Sequence, residues 1–505
     1  MKNILEFLQV TAAALPDKMA VAAEDGCCSW RELLHGSECI GTALAVRTGP
    51  RAPVPVLMEK GWHALCAFFG AVQAGCFYVP LNPDLPQPRL RQVLEVLRPS
   101  CILTDGIHRA LAGQLMPAGE VLQIEDLLQS TPDPAALEHV RAGMTDQDPL
   151  YCLFTSGSTG TPKGVVISHR AVLDFIPSFT ALFGIGADDV IGNQAPFDFD
   201  VSVKDIYAAV QTGATLVVIP RRLFSQPAAL MDYLCDHRVT TLTWAVSALC
   251  LVSALHGLEY RAPDRVRRVL FSGEVMPPAH LRRWMEHLPQ AAFVNLYGPT
   301  EITCNCTYHR IERKASYDAG IPLGQPFPNR RVFLLDEEGH EISRDGQTGE
   351  ICVSGAGLAL GYYNAPEQTA QVFVQHPDNH CFTECIYRTG DLGRYDENGA
   401  LYFNGRKDFQ IKHMGHRIEL EEIERAATAL HGVTQCCCVF DAQKSRLHGF
   451  YTGAAESAAV FTELSGRLPA FMLPRTLERI EQMPLTKNGK ADRARLLAMA
   501  RREIS

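Results

Sequence analysis

Leu153-Phe154-Thr155-Ser156-Gly157-Ser158-Thr159-Gly160-Thr161-Pro162-Lys163-Gly164-Val165 is the stretch on which the reading of this chain turns. Its apolar lead-in predicts a strand. The hydroxyls, glycines and lysine after it put many donors on a backbone flexible enough to wrap phosphate oxygens. The spacing is not that of a Walker loop, in which glycine directly precedes the lysine, because Thr161 and Pro162 separate Gly160 from Lys163. A plain polar turn needs fewer glycines and donors than are present here. A nucleotide-binding loop is therefore expected.

The chain has 505 residues, 47% of them apolar, which exceeds the size at which a single core stops growing, so more than one domain is expected. A net charge of -9 with no basic run argues against a nucleic-acid partner. The 17 cysteines are scattered or clustered, as in Cys27-Cys28 and Cys436-Cys437-Cys438, with no secretory leader, and read as reduced, mostly buried thiols. Cys304-Asn305-Cys306 lacks the second ligand pair of a zinc site. No run approaches the ~18 apolar residues of a membrane span, and a cytoplasmic location is expected.

Upstream of the loop, Ile4-Leu5, Phe7-Leu8 and Val10 predict a core-facing helix. Strand and helix then alternate through Val54–Met58, 64–69, Cys76–Leu81 and Cys101–Thr104. Downstream, strands are predicted at Ala214–Pro220 and Val239–Trp244, and short strands running into turns at Val269–Glu274 and Ala292–Glu301. Such alternation implies an α/β fold of parallel sheets covered by helices, and ligands gather where such strands end. Short glycine-punctuated strands from about 320 to 405 predict a β-rich subdomain, and a small α+β unit comes after it. The expected division is a core of residues 1–407 and a second domain of 408–505.

Three later stretches sharpen the picture: Asn295-Leu296-Tyr297-Gly298-Pro299-Thr300-Glu301, Tyr387-Arg388-Thr389-Gly390-Asp391-Leu392 with Gly405-Arg406-Lys407-Asp408, and Pro484-Leu485-Thr486-Lys487-Asn488-Gly489-Lys490. With the phosphate loop, and in this order, they resemble the adenylate-forming enzymes over essentially the whole chain. The likeness within that family is to the amino-acid adenylation domains of peptide synthetases and the D-alanine:carrier-protein ligases. The resemblance implies ATP and Mg²⁺, and a loop from Thr155 through Ser156, Gly157, Ser158, Thr159 and Gly160 to Lys163 that cradles pyrophosphate. It implies Tyr297 stacked on adenine, Asn295 on the adenine amino edge, Thr300 at the α-phosphate and Glu301 on the metal. Asp391 would accept the ribose hydroxyls with Arg406 nearby, Asp408 would be a hinge, and Lys490 would reach the reacting carboxylate. Each role suits its side chain: a flat amphipathic ring, an amide, hard oxygen ligands, a point cation where charge concentrates. Met414 stands where the family most often has a basic residue.

The same resemblance places Asp200 opposite a substrate α-ammonium, a group that fatty-acyl and aryl substrates lack. A buried carboxylate needs such a partner, although an aspartate before a helix can also be a cap. Val201, Lys204, Thr243, Ser272, Leu296, Cys304 and Asn305 would complete a fairly small, polar pocket. Lys204 either pairs with a substrate side-chain carboxylate or is the i+4 helix neighbour of Asp200. Ser272 occupies a position where the D-alanine ligases carry cysteine. No phosphopantetheine motif follows Lys490, so the expected acceptor is a separate carrier protein. The alternative is an acyl- or aryl-CoA ligase, which would be indifferent to Asp200.

Overall fold

Pro53–Leu57 and Phe77–Leu81 are buried at every position, as strands covered on both faces are, and they pair in parallel with Val54 opposite Tyr78 and Leu57 opposite Leu81. The computed structural model describes residues 1–505 apart from 158–159, 319, 343–345, 443, 487–490 and 503–505. In it these strands belong to a seven-stranded sheet with Cys101–Thr104, Glu120–Gln123, Pro149–Thr155, Lys163–Ser168 and Gly361–Tyr362.

A nine-stranded sheet carries the second half of the alternation. Its middle runs in parallel in the order Ala292–Tyr297, Arg268–Ser272, Thr241–Ala245, Val190–Asn193, Thr215–Val218, Met19–Ala23. Antiparallel strands close both edges: Gly26–Ser29 on one, Thr307–Arg310 and Gln325–Pro326 on the other. Helix Val201–Thr212 is buried continuously from Val201 to Val210, so it lies in the interior. Its Ile206 and Tyr207 share one apolar core with Tyr78 of the first sheet and Leu216 of the second, and the Tyr78 and Tyr207 hydroxyls meet at 2.9 Å. A second core holds Trp244, Phe271, Trp284 and Phe293.

The β-rich stretch forms a six-stranded sheet of Arg330–Leu335, Glu341–Ile342, Thr348–Gly355, Phe373–Gln375, Cys385–Tyr395 and Leu401–Arg406, every pairing antiparallel. The α/β architecture read from the sequence is the one observed, with element ends shifted by a few residues. In Ala292–Glu301 the strand runs to Tyr297 and a turn follows. Gly298-Pro299 ends the ladder there, and a short 3₁₀ turn, Thr300–Ile302, leads into Thr303 and Cys304 at φ 58 and 68. All 17 cysteines are free, most of them buried.

The chain forms two compact units. One comprises Met1–Pro83, Leu97–Leu153 and Gly164–Lys407; the other comprises Asp84–Val96, Phe154–Lys163 and Asp408–Ser505. In the second, strands Gln410–His413 and His416–Glu419 form a hairpin turning through Met414 and Gly415, at φ 53 and 82. Helix Leu420–Thr428 then packs on a three-stranded sheet of Val433–Asp441, Arg446–Gly453 and Thr476–Arg479 around Ile423, Cys438, Leu447 and Tyr451. No helix among the described residues is long and apolar enough to cross a membrane.

Candidate active site

In the first unit, the antiparallel register that sets Asp391 opposite Arg406 brings a carboxylate and a guanidinium together by backbone geometry alone. The Arg406 guanidinium bonds Asp391 Oδ1, and the Tyr297 hydroxyl donates to Oδ2 at 2.7 Å. Asp391 is 1% exposed, so its charge sits where water does not screen it. Burial, with this carboxylate beside it, pushes the Tyr297 phenol well above its ordinary value. A carboxylate offers about four lone-pair directions, so Asp391 can hold both partners and still accept further hydroxyls. Glu350, which the motifs did not single out, anchors the turn: it accepts from Arg388 Nε and Nη2 at 2.9 and 2.6 Å, from the Gly390 N–H at 3.0 Å, and from Lys407 Nζ at 3.1 Å. Asn295, on the same strand as Tyr297, donates through Nδ2 to the Pro322 carbonyl at 3.0 Å.

The hairpin from Ala292 to Arg310 carries Asn295 and Tyr297 on its first strand and leads through Cys304 and Asn305 to its second. Its connection is tight: a Cβ on Gly298 would stand 2.6 Å from Asn305 Cα and 2.8 Å from the Cys304 carbonyl, which makes glycine obligatory for the close approach. Thr300 and Glu301 lie buried on the short turn. Glu301 Oε1 accepts from the Tyr362 hydroxyl at 2.8 Å, and its backbone carbonyl accepts the Ala359 N–H, also at 2.8 Å. Tyr362 was not anticipated; the run Gly361-Tyr362-Tyr363 gives no hint of a partner 61 residues away.

The residues expected to line the amino-acid pocket lie on parallel strands, on helix Val201–Thr212 and in the loop before Thr307–Arg310. Thr243 is the middle residue of Thr241–Ala245, Ser272 ends its strand beside Ala245, and Leu296 precedes Tyr297. Asp200 occupies the N-cap position of helix Val201–Thr212, but its side chain makes no capping bond, so capping does not account for it. It is 7% exposed, and its backbone carbonyl receives the Cys304 thiol at 3.4 Å. Lys204, one turn on, is almost wholly buried, and its ammonium donates to Asn305 Oδ1 at 2.7 Å. Burial, with the Asp200 charge near, raises the Cys304 thiol far above its ordinary range.

Asp205, Asn193 and Lys60 form a polar chain that the sequence reading missed. Asn193 donates to Asp205 Oδ2 at 3.0 Å, and Lys60 Nζ donates to Asn193 Oδ1 at 3.3 Å and to the Gln194 carbonyl at 3.0 Å. Burial pushes the Asp205 carboxyl up to about 7, against the opposing pull of Asn193, Lys204, Thr243 and Lys60. Burial likewise brings Lys60 down to about 7, with Asp205 the leading charge opposing it. Lysine, asparagine and aspartate spread over more than a hundred residues carry no spacing signal that could have revealed this.

The phosphate-loop residues belong to the second unit. Ser156 Oγ donates to the Arg417 carbonyl at 2.7 Å and accepts the Glu419 N–H at 3.2 Å. The Gly157 N–H donates to Glu422 Oε2 at 3.3 Å, while Glu422 Oε1 is paired with Arg89 Nη1 at 2.6 Å in a buried ion pair. Gly157 has no room for a side chain, since a Cβ would sit 2.0 Å from the Thr161 carbonyl. Gly160, at φ 84, turns the loop back through its N–H to the Gly157 carbonyl at 2.8 Å. Thr155 ends the strand before the loop and Lys163 begins the one after it. Asp408 accepts the Gln410 N–H at 3.2 Å. Ser158, Thr159 and Lys490 lie outside the described residues.

A carboxylate held between phenol and guanidinium, and a buried acid and lysine at the start of an interior helix, suit a nucleotide-dependent ligase. The AMP-binding enzyme family matches residues 8–363, and the chain belongs to that family of adenylate-forming ligases. It is 36% identical over 479 residues to the L-proline--[L-prolyl-carrier protein] ligase of Streptomyces coelicolor, covering 90% of this chain and 88% of that one. It is 32% identical over 522 residues to a D-alanine--D-alanyl carrier protein ligase of Bacillus mycoides, covering 98% and 99%. Tyrocidine synthase 3 of Brevibacillus parabrevis is 33% identical over 97% of this chain, which spans only 8% of that protein's length. Among solved structures, holo-PA1221, a peptide-synthetase protein containing adenylation and PCP domains, superimposes with a TM-score of 0.85 at 25% identity, covering 99% of this chain and 84% of that one.

Proposed function

We propose that the chain activates an amino acid as its adenylate, with release of pyrophosphate from ATP, and passes the aminoacyl group to the phosphopantetheine thiol of a separate carrier protein. The observation that carries the reading is Asp200: a carboxylate at the start of an interior helix, 7% exposed, whose backbone carbonyl receives the Cys304 thiol. A carboxylate this deeply buried favours an opposite charge beside it, and a substrate α-ammonium is one. Similarity to carrier-protein ligases that act on proline and D-alanine supports the same conclusion.

In this reading Tyr297 and Asn295 hold the adenine, and Asp391, fixed by Arg406, orients the ribose. Asp200 draws the ammonium to one end of the pocket, which leaves the substrate carboxylate turned toward the nucleotide. Thr300 meets the α-phosphate. Glu301, a buried hard-oxygen donor, suits Mg²⁺, which when bound would offset triphosphate charge. The loop from Thr155 to Lys163 cradles the departing pyrophosphate, and Lys490 supplies positive charge at the reacting centre. The rate comes from positioning and electrostatics, because no protein group becomes covalently attached. The segment from Asp408 onward turns about that residue between the two half-reactions. ATP dependence is consistent with the cytoplasmic placement we adopt.

The test is amino-acid-dependent exchange of pyrophosphate into ATP across the L- and D-amino acids, then transfer to a phosphopantetheinylated carrier. One or a few amino acids should support exchange, and Asp200→Ala should lower it by about a hundredfold or more, as expected for loss of a buried charge partner. Thioester formation with free CoA and an acyl or aryl acid, unchanged in Asp200→Ala, would replace this reading with a CoA ligase.

A further inference from the structure

Glu301 sits on a turn too short to orient it. The 3₁₀ segment Thr300–Ile302 follows Gly298-Pro299 and runs straight into Thr303 at φ 58. What fixes it is one neighbouring segment, residues 357–363, through three bonds of 2.8 Å. The Ala359 N–H donates to the Glu301 carbonyl, the Gly357 carbonyl accepts the Thr303 hydroxyl, and the Tyr362 hydroxyl donates to Glu301 Oε1. That segment is itself tied down. Gly361 and Tyr362 pair antiparallel with Val166 and Val165, the Leu360 N–H donates to the Val166 carbonyl at 2.8 Å, and the Tyr363 N–H donates to the Gly164 carbonyl at 2.7 Å. These partners belong to Lys163–Ser168, the strand that follows the expected phosphate loop. The Tyr362 ring is 7% exposed and meets Phe373 edge-on with centroids 6.1 Å apart, while its backbone N–H donates to the Thr369 hydroxyl at 2.9 Å. Packing and backbone pairing therefore set where the Tyr362 hydroxyl stands, and through it the orientation of the Glu301 carboxylate.

Among the described residues, no three His, Cys, Asp or Glu side chains stand together as a cage for a metal ion. A small hard cation held by one carboxylate takes its other ligands from water and substrate phosphates, the usual arrangement for Mg²⁺. Glu301, 1% exposed, fits that arrangement, and the fit depends on the aim of a single group. We propose that Tyr362 is a positioning residue: its hydroxyl holds Glu301 Oε1 so that the carboxylate meets a divalent cation arriving with ATP. This rests on the adenylate-forming reading above, in which Glu301 suits Mg²⁺, and adds the residue that aims it. Losing a hydrogen bond of this kind to a metal-ligating side chain weakens metal binding by about ten- to a hundredfold. Tyr362 acts only through Glu301, so its effect must vanish where the cation or the carboxylate is missing.

The experiment uses the full chain and Tyr362→Phe, which removes one oxygen and leaves the ring in the core. ATP affinity is measured by calorimetry without amino acid, so that no turnover occurs, once with excess Mg²⁺ and once with EDTA. The variant should bind ATP about tenfold or more weakly with Mg²⁺, and as wild type does in EDTA. The Mg²⁺ concentration giving half-maximal pyrophosphate exchange should rise by a similar factor, with the rate recovered at high Mg²⁺. In a Glu301→Gln background the same substitution should add nothing to the Mg²⁺-dependent loss, because there is no carboxylate left to aim. Equal weakening with and without Mg²⁺, or lower thermal stability with the Mg²⁺ effect unchanged, makes Tyr362 a packing residue and overturns the proposal. An additive loss in the Glu301→Gln background overturns it too. Wild-type ATP affinity indifferent to Mg²⁺ takes the cation from Glu301 and the proposal with it. If no amino acid supports exchange, the amino-acid reading falls by itself, and the ATP measurements still decide the role of Tyr362.

Discussion

His169 shows how much one buried ring can tie to pH. It is fully buried, its Nδ1 accepts the Ile4 N–H at 3.2 Å, and burial pushes it down to about 4. Accepting that hydrogen bond requires the neutral ring. Between the ordinary imidazole value near 6.5 and about 4, the unfolded chain takes up a proton that the folded chain refuses. Stability is therefore fully present above 6.5 and is lost as pH falls through that window, by roughly 3 kcal/mol in total. Denaturant melts at stepped pH values should show that decline, and His169→Phe should flatten it. At this scale the sequence is informative where a residue sits in a motif and silent where its partner is remote. Tyr297, Asp391 and Arg406 all stand in recognisable motifs, and they meet in one cluster. Glu350, Tyr362 and Asp205 hold comparable networks but lie outside any recognisable spacing, because sheet register and helix packing, not local order, bring them to their partners.

The hairpin Ala292–Arg310 carries Asn295, Leu296, Tyr297, Thr300, Glu301, Cys304 and Asn305, and the proposed reading depends on it. Its strand is legible as an apolar run and its end as a Gly298-Pro299 turn; the left-handed conformations of Thr303 and Cys304 beyond that turn are not, because nothing in their chemistry advertises them. Gly298 gives a sharp test. Gly298→Ala puts a methyl group into the backbone of Asn305 and Cys304, which cannot yield as a side-chain tip would. We expect a loss of about 1–3 kcal/mol in unfolding free energy, read by denaturant titration, together with an activity loss larger than that instability explains. The parallel strands are the most legible elements, since continuous burial on both faces leaves an unbroken apolar signature. In helix Val201–Thr212 the charged pair Lys204-Asp205 is interior, and local order alone does not announce the burial of Asp205.

For the whole molecule, segments distant in sequence make up the second unit, and no composition shift announces that arrangement. A boundary at residue 408 marks the start of its longest segment, yet Asp84–Val96 and Phe154–Lys163 fold with that segment too. Arg89 and Glu422, separated by 333 positions, form the buried pair that joins these pieces. Glu422→Ala leaves the Arg89 cation buried and unpaired, a change that costs about 3–5 kcal/mol. Hydrogen exchange should report it as lost protection of the Gly157 amide, with amides of the first unit's parallel strands unaffected. Lys490 carries a different kind of prediction, since it comes from motif order alone. Lys490→Ala should lose about two to three orders of magnitude in adenylate formation while transfer from a pre-made adenylate survives, as separate assays of the half-reactions would reveal. Equal losses in both would strip Lys490 of its role.

The bond from the Gly157 N–H to Glu422 has a thermodynamic corollary. One amide hydrogen cannot serve two anions, so on the proposed reading a pyrophosphate oxygen and a glutamate compete for a single seat. Nucleotide affinity measured on the intact chain then includes the work of evicting the acid, and by reciprocity bound phosphate loosens helix Leu420–Thr428 by the same amount. The protein thus carries its own competitor for the loop, and the loop cannot hold both at once.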